Sequence, residues 1–233
     1  MIAFLDIGST LIDGPASGPG KRIAMELGLG DEAVSAMNEI LFQTDARESE
    51  ELAARVAQRF GAGAGRASDV VRQIWEAQFD ESYVLPGAKE AIESLRAAGI
   101  GRVYVSNIWR PFHARFEAEF PLEAGAQPCF LSFRTRRMKP SAELLGAICS
   151  EIDVAPNDVV MVGDTWAADI EPAIRSGMGT IWILHRPDKE KADLIRVLNG
   201  TSAAPDVTLG GIGDLTADTV HRAYGLHMRR VRD

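Results

Sequence analysis

Asp6 is the first residue of this chain that invites chemistry. Met1 to Leu5 is a short apolar run compatible with a β-strand, and Asp6 stands at its C-terminal end, followed by a Gly8-Ser9-Thr10 turn. A buried strand that delivers a carboxylate to its C-terminal end is where open α/β sheets build their sites. Such a carboxylate can act as a nucleophile or bind Mg²⁺ as a hard oxygen ligand. It can equally be an ordinary turn or helix-capping Asp. Three further places carry groups of the same theme. Ser106 and Asn107 follow the apolar Val103-Tyr104-Val105; Lys139 lies in a basic stretch just before a helical pattern; Asp164 follows Val159–Val162 through Gly163, with Asp169 five residues on. Together they suit phosphoryl transfer. Asp6 would attack phosphorus, and Asp6 and Asp164 would hold Mg²⁺ against carboxylate–phosphate repulsion. A hydroxyl, a backbone N–H and an ammonium would bind the oxygens on which charge is spread.

For these groups to meet, the chain must put several strand ends on one edge. After Asp13 comes Gly14-Pro15-Ala16-Ser17-Gly18-Pro19-Gly20, a hinge by composition. Some sixty residues of helical pattern follow, with no convincing strand. Helices are expected over Lys21–Leu27, from Asp31 to about Thr44, over Glu48–Phe60, and from Ser68 to about Phe79. From Leu85 onward helices and strands alternate. Helices are predicted over Ala88–Ala98, Trp109–Glu119, Ser141–Ile152 and Asp169–Ser176. Strands are predicted over Arg102–Val105, Cys129–Ser132, Val159–Val162, Thr180–Leu184 and Val207–Leu209. That alternation implies an α/β fold with a parallel sheet covered on both faces. The expected organisation is a core of 1–13 and 87–233, with an all-helical second domain over 14–86.

Composition narrows the rest. The chain has 233 residues, 46% hydrophobic and 25% charged, with a formal net charge of −8. That acidity argues against a nucleic-acid footprint but not against a small anionic substrate. Cys129 and Cys149 show no metal-ligand spacing and read as free thiols of a reducing compartment. No signal peptide and no apolar run of membrane-spanning length is visible, so a cytoplasmic protein with no membrane partner, monomer or homodimer, is expected. The four histidines are scattered. Arg134, Arg136 and Arg137 read as a solvated charge run. Trp109 and Trp166, each just beyond a chemical residue, would either line a pocket or pack beneath the helical insert. The basic end Met228–Arg232 is expected to fray.

The ordered set resembles the haloacid dehalogenase-like hydrolase superfamily. Phe4-Leu5-Asp6-Ile7-Gly8-Ser9-Thr10 is similar to its first motif, hhhhDxDx[TV]; Ser106 matches the second, Lys139 the third, and Gly163-Asp164-Thr165-Trp166-Ala167-Ala168-Asp169 the fourth. The resemblance covers almost the whole chain. It implies a Rossmann-like core, a helical cap and bound Mg²⁺. It also implies Asp6 as nucleophile and Lys139 as a catalytic and phosphate-binding residue, with Ser106 and Asn107 on the phosphate. The metal set would be Asp6, the Gly8 backbone carbonyl, Asp164 and Asp169, although Asp169 could instead cap a helix or orient Lys139. One departure stands out. The family's phosphatases usually place a second Asp, the general acid/base, where this chain has Gly8. The expectation is therefore a phosphatase or phosphotransferase acting on a small phosphorylated metabolite, with a good leaving group or a replacement acid. The alternatives are a haloacid dehalogenase-type reaction, for which Arg47, Arg55, Arg59, Arg66 or Arg72 would serve the carboxylate, or a catalytically weak binding domain. A phosphonatase would need a Lys in the insert, where only Lys21 exists, at its start.

Overall fold

The computed structural model describes residues 1–232, the side chain of Ala142 excepted. Its strands are β1 (Ile2–Leu5), β2 (Ile12–Asp13), β3 (Tyr83–Val84), β4 (Gly101–Ser106), β5 (Cys129–Leu131), β6 (Val159–Gly163), β7 (Gly179–Ile183) and β8 (Val207–Leu209). Six of them form one sheet in the order β5-β4-β1-β6-β7-β8, every pair parallel. β1 is central. Ile2–Leu5 pair residue for residue with Gly101–Tyr104 on one side and with Val159–Val162 on the other.

Both faces of the sheet are covered, and the period of two decides which side chain goes where. Ala3 and Leu5 join Tyr104, Val160, Val162, Ile181 and Ile183 in a core shared with the helices Ala88–Ala97 and Ala217–Arg232. Phe4 points the other way. It packs with Val103, Val105, Val159 and Met161 against Leu144, Leu145 and Ile148 of the helix Ala142–Glu151. This is the expected Rossmann-like α/β architecture.

Between β2 and β3 lie four helices: α1 (Pro19–Glu26), α2 (Ala33–Gln43), α3 (Ser49–Phe60) and α4 (Ala64–Glu81). They bury a separate core of Ile23, Met37, Leu41, Leu52, Val56, Val71 and Ile74. One residue of that core comes from outside the insert. Trp109, from the loop after β4, packs into it edge-on to Trp75, with ring centroids 5.5 Å apart, and its Nε1 donates to Gln78 Oε1 at 3.1 Å.

Several sequence expectations need correction. The stretch expected to be free of strand contains β3, which pairs antiparallel with β2 to make a ribbon where the chain enters and leaves the insert. α4 begins four residues early, at Ala64, so the glycine-rich stretch is not all linker. Asp31 does not cap α2, whose N-cap is Glu32 with no side-chain cap. Trp166–Ile170 is a π-helical turn ahead of the helix Glu171–Arg175. Met228–Arg232 is helical, the largely exposed last turn of the helix Ala217–Arg232, whose Val220, Ala223 and His227 are buried. The two cysteines are free, and among the described residues no helix is long and apolar enough to cross a membrane.

Candidate active site

The C-terminal ends of β1, β4 and β6 and the loop at Lys139 come together as their side-chain types suggested. Asp6 continues β1, its N–H donating to the Val162 carbonyl at 2.9 Å. Its carboxylate is almost fully buried. Oδ1 accepts from Lys139 Nζ at 2.6 Å and Oδ2 from Thr10 Oγ1 at 3.2 Å. The Lys139 ammonium also donates to Asp169 Oδ1 at 2.5 Å. Burial disfavours this ammonium, but Asp169 and Asp6 outweigh it and hold its pKa above the ordinary lysine value.

Lys139 is fixed from behind. The Asn107 side chain accepts from the Lys139 backbone N–H and donates to the Lys139 carbonyl, both at 2.8 Å. The Asn107 amide is thus anchored on the lysine's main chain, with one Nδ2 hydrogen used there and the second left over. Asp169 likewise uses both oxygens, the second accepting from the Thr165 N–H at 3.1 Å. Gly163 makes room for it: a Cβ there would lie 2.5 Å from the Asp169 carboxyl carbon. Any side chain at 163 would push Asp169 off Lys139.

Asp164 is the third carboxylate. One oxygen each from Asp6, Asp164 and Asp169 falls within 4.8 Å of the others. Burial, then Asp6 and Asp169, push the Asp164 carboxyl up to about 7, against Lys189 and Arg186, which favour its charge. Asp169 is also raised, burial and Asp6 together exceeding the effect of Lys139 and the Thr165 N–H. Ser106 adds a buried hydroxyl at the end of β4 whose Oγ has no hydrogen-bond partner among the described residues. Three buried carboxylates served by Lys139 and Arg186 remain short of positive charge. An all-oxygen donor set in that state fits a hard divalent cation such as Mg²⁺.

Two members of the site were given no role by sequence reasoning. Thr10, which closes the first motif, is fully buried with its hydroxyl on Asp6. Arg186 donates to Asp164 Oδ2 at 2.5 Å and lies 3.8 Å from Asp13 Oδ2. It follows β7, so the same strand-end rule that singled out Asp164 pointed to it. Gly8 is two residues past Asp6, and a Cβ there would meet Phe112 Cε1 at 3.4 Å. The Phe112 ring borders the space into which a side chain at 8 would project.

Beside this cluster opens a cavity of about 280 Å³. Ser9, Asn107 and Trp109 line it, together with the 14–19 hinge, Phe42 and Gln78 of the insert, and Arg186 and Lys189. Asp6, Lys139 and Asp164 are not on its wall; Asn107, bonded to Lys139, and Arg186, bonded to Asp164, are. Trp109 both packs beneath the insert and faces the cavity, whereas Trp166 is buried against Trp182. Arg134, Arg136 and Arg137 are exposed.

A family model described as haloacid dehalogenase-like hydrolase matches residues 2–177, and a second hydrolase-like model of the same group matches 137–220. A haloacid dehalogenase-like hydrolase domain-containing protein of Arabidopsis thaliana is 30% identical over 119 residues, 49% of this chain and 46% of that one. The ribulose-1,5-bisphosphate 5-phosphatase of Halopiger xanaduensis is 26% identical over 61% of this chain and 59% of its own length. The matched region thus spans roughly half to three-fifths of these curated relatives. Among solved structures, a HAD family hydrolase from Deinococcus radiodurans, with bound phosphate and sodium, superposes with a TM-score of 0.60 at 18% identity, covering 96% of each chain. A hydrolase from Pseudomonas syringae gives 0.61 at 16% identity, covering 92% of this chain and 95% of that one. At such identities these two speak for the fold.

Proposed function

The chain belongs to the haloacid dehalogenase-like hydrolases, and from that premise we propose that it is an Mg²⁺-dependent phosphatase or phosphotransferase acting on a small phosphorylated metabolite through Asp6. The observation that carries this reading is the buried Lys139 ammonium, shared between Asp6 at 2.6 Å and Asp169 at 2.5 Å, with Asp164 alongside. A nucleophilic carboxylate must approach an anionic phosphoryl group, and a fixed cation beside it lowers the repulsion.

In this reading an Asp6 oxygen forms a bond to phosphorus as the bond from phosphorus to the leaving oxygen breaks. Water then cleaves the aspartyl phosphate, restoring the Asp6 carboxylate and releasing inorganic phosphate. Lys139 and the unpartnered Ser106 hydroxyl hold the transferring oxygens. Asp169 and Asn107 keep Lys139 in place, one at its ammonium and the other at its backbone. Asp6 and Asp164 would hold Mg²⁺, with the Gly8 carbonyl and Asp169 as the further candidate ligands. When bound, the ion supplies positive charge against the phosphoryl oxygens.

Gly8 offers no proton, so the leaving oxygen must depart with little help. Acyl and aryl phosphates meet that condition. The dehalogenase alternative finds less support. None of Arg47, Arg55, Arg59, Arg66 and Arg72 lines the cavity.

The test is phosphate release from acetyl phosphate and para-nitrophenyl phosphate, with and without Mg²⁺. Wild type should turn over in an Mg²⁺-dependent manner, and Asp6→Asn should lose at least about 10³-fold in kcat. Turnover that survives Asp6→Asn, or release of halide from haloacids without Mg²⁺, would overturn the assignment.

A further inference from the structure

We propose that the substrate carries a second anionic group, remote from the phosphoryl group, and that Lys189 with Arg186 binds it. The inference rests on the phosphate reading of Asp6 and extends it to the class of substrate.

The charged side chains on the cavity wall are Asp13, Arg186 and Lys189, and none of them comes from the four helices of the insert. The insert supplies only its hinge backbone and small side chains, Phe42 and Gln78. The insert therefore shapes the cavity, and the core sets its charge. Asp13 is already engaged: Oδ1 accepts from Ser9 Oγ at 3.0 Å and from the Gly14 N–H at 2.9 Å, while Oδ2 faces Arg186. Arg186 spends one terminal nitrogen on Asp164 and keeps its Nε buried without a partner. Lys189 is exposed and forms no ion pair among the described residues.

Arg186 is offset by Asp164 and Asp13, so the unpaired Lys189 ammonium beside it leaves this small cavity wall with one positive charge in excess, in a chain of net charge −8: a local reversal of sign. Such a reversal attracts and orients an anion. The volume sets the scale. About 280 Å³ is near the lower end of small-molecule pockets. That suits a compact metabolite with an acidic group at each end. Carboxylate and phosphate share the chemistry that Lys189 and Arg186 recognise.

The test is calorimetric binding to the full chain at saturating Mg²⁺. The ligands are phosphonoacetate and methylenebisphosphonate, each carrying a second anion, and ethylphosphonate, which lacks one. The two-anion ligands should bind about fivefold tighter or more, an advantage that shrinks with added salt. Lys189→Ala should abolish most of that advantage and Lys189→Arg should keep it; position 189 is exposed, so neither change threatens the fold. Whichever two-anion ligand gains more identifies the natural second group as carboxylate or phosphate. Ethylphosphonate binding as tightly as the other two, or an advantage unchanged in Lys189→Ala, overturns the second-anion site while leaving the phosphate site standing. Failure of all three ligands to bind overturns the phosphate reading itself, and this inference with it.

Discussion

At the scale of single residues, the site depends on how few cations serve its carboxylates. Asp6, Asp164 and Asp169 lie within one ion's reach of each other, and Lys139 is shared by two of them. Gly8 is the residue that departs from this otherwise complete set. Its missing Cβ would sit in ordinary contact with Phe112, so a short side chain fits there. Gly8→Asp is expected to raise hydrolysis of an unactivated alkyl phosphate tens-fold, the lower part of what a general acid is worth, with little gain on acetyl phosphate. Steady-state kcat on the two substrates checks this, and an equal change on both would show that protonation of the leaving group is not the bottleneck. Much of the site was legible because each of its residues follows an apolar strand or sits in a motif of fixed spacing. What could not be read was direction. Asn107 stood out beside Ser106, yet both its amide atoms serve the Lys139 backbone. Arg186 follows β7 and the strand-end rule pointed to it, but as a lone basic residue it belongs to no motif and was passed over.

At the scale of elements, the longer periodic segments were foreseeable and the short ones were not. The four helices of the insert announce themselves by apolar residues three and four apart. β2 and β3 are two residues each, too short for any period to show, and only their mutual pairing makes them strands. The helix Ala217–Arg232 was not foreseen at all, because polar and basic residues dilute its narrow buried stripe of Val220, Ala223 and His227. Trp109 is, with Phe112 and Arg110, one of the side chains that couple insert to core. Removing it deletes a fully buried indole from the insert's own core, so Trp109→Ala should cost about 3–5 kcal/mol. Trp109→Phe should cost less, about 1–3 kcal/mol, chiefly by leaving Gln78 Oε1 unpaired in a buried place. Denaturant midpoints give both values; a Trp109→Ala change below about 1 kcal/mol would show that the insert does not depend on this residue.

At the scale of the whole molecule, stability should carry the mark of one buried histidine. His113, in the helix Arg110–Glu119, is 2% exposed, and its Nε2 has no partner. Burial, then Arg134 and Arg110, push its pKa down to about 4, while Glu117 stands 3.4 Å from Nδ1. The unfolded chain takes up this proton near pH 6.5 and the folded one near 4. Between those limits the unfolded state binds more protons, so stability falls as pH falls, by roughly 3 kcal/mol at most. Melting temperatures from pH 7 to pH 4 should drop more steeply for wild type than for His113→Phe, and parallel curves would exclude the histidine as the cause. The sheet order has a further consequence, in time rather than energy. β1 is flanked on both sides by strands whose residues begin about a hundred and about a hundred and sixty positions later, and Asp6 meets Lys139 across 133 positions. During synthesis β1 is therefore made before both of its neighbours and waits for them. A ribosome-bound chain halted before Gly163 would hold Asp6 without a finished cradle, so the complete carboxylate cluster would form as the closing event of assembly.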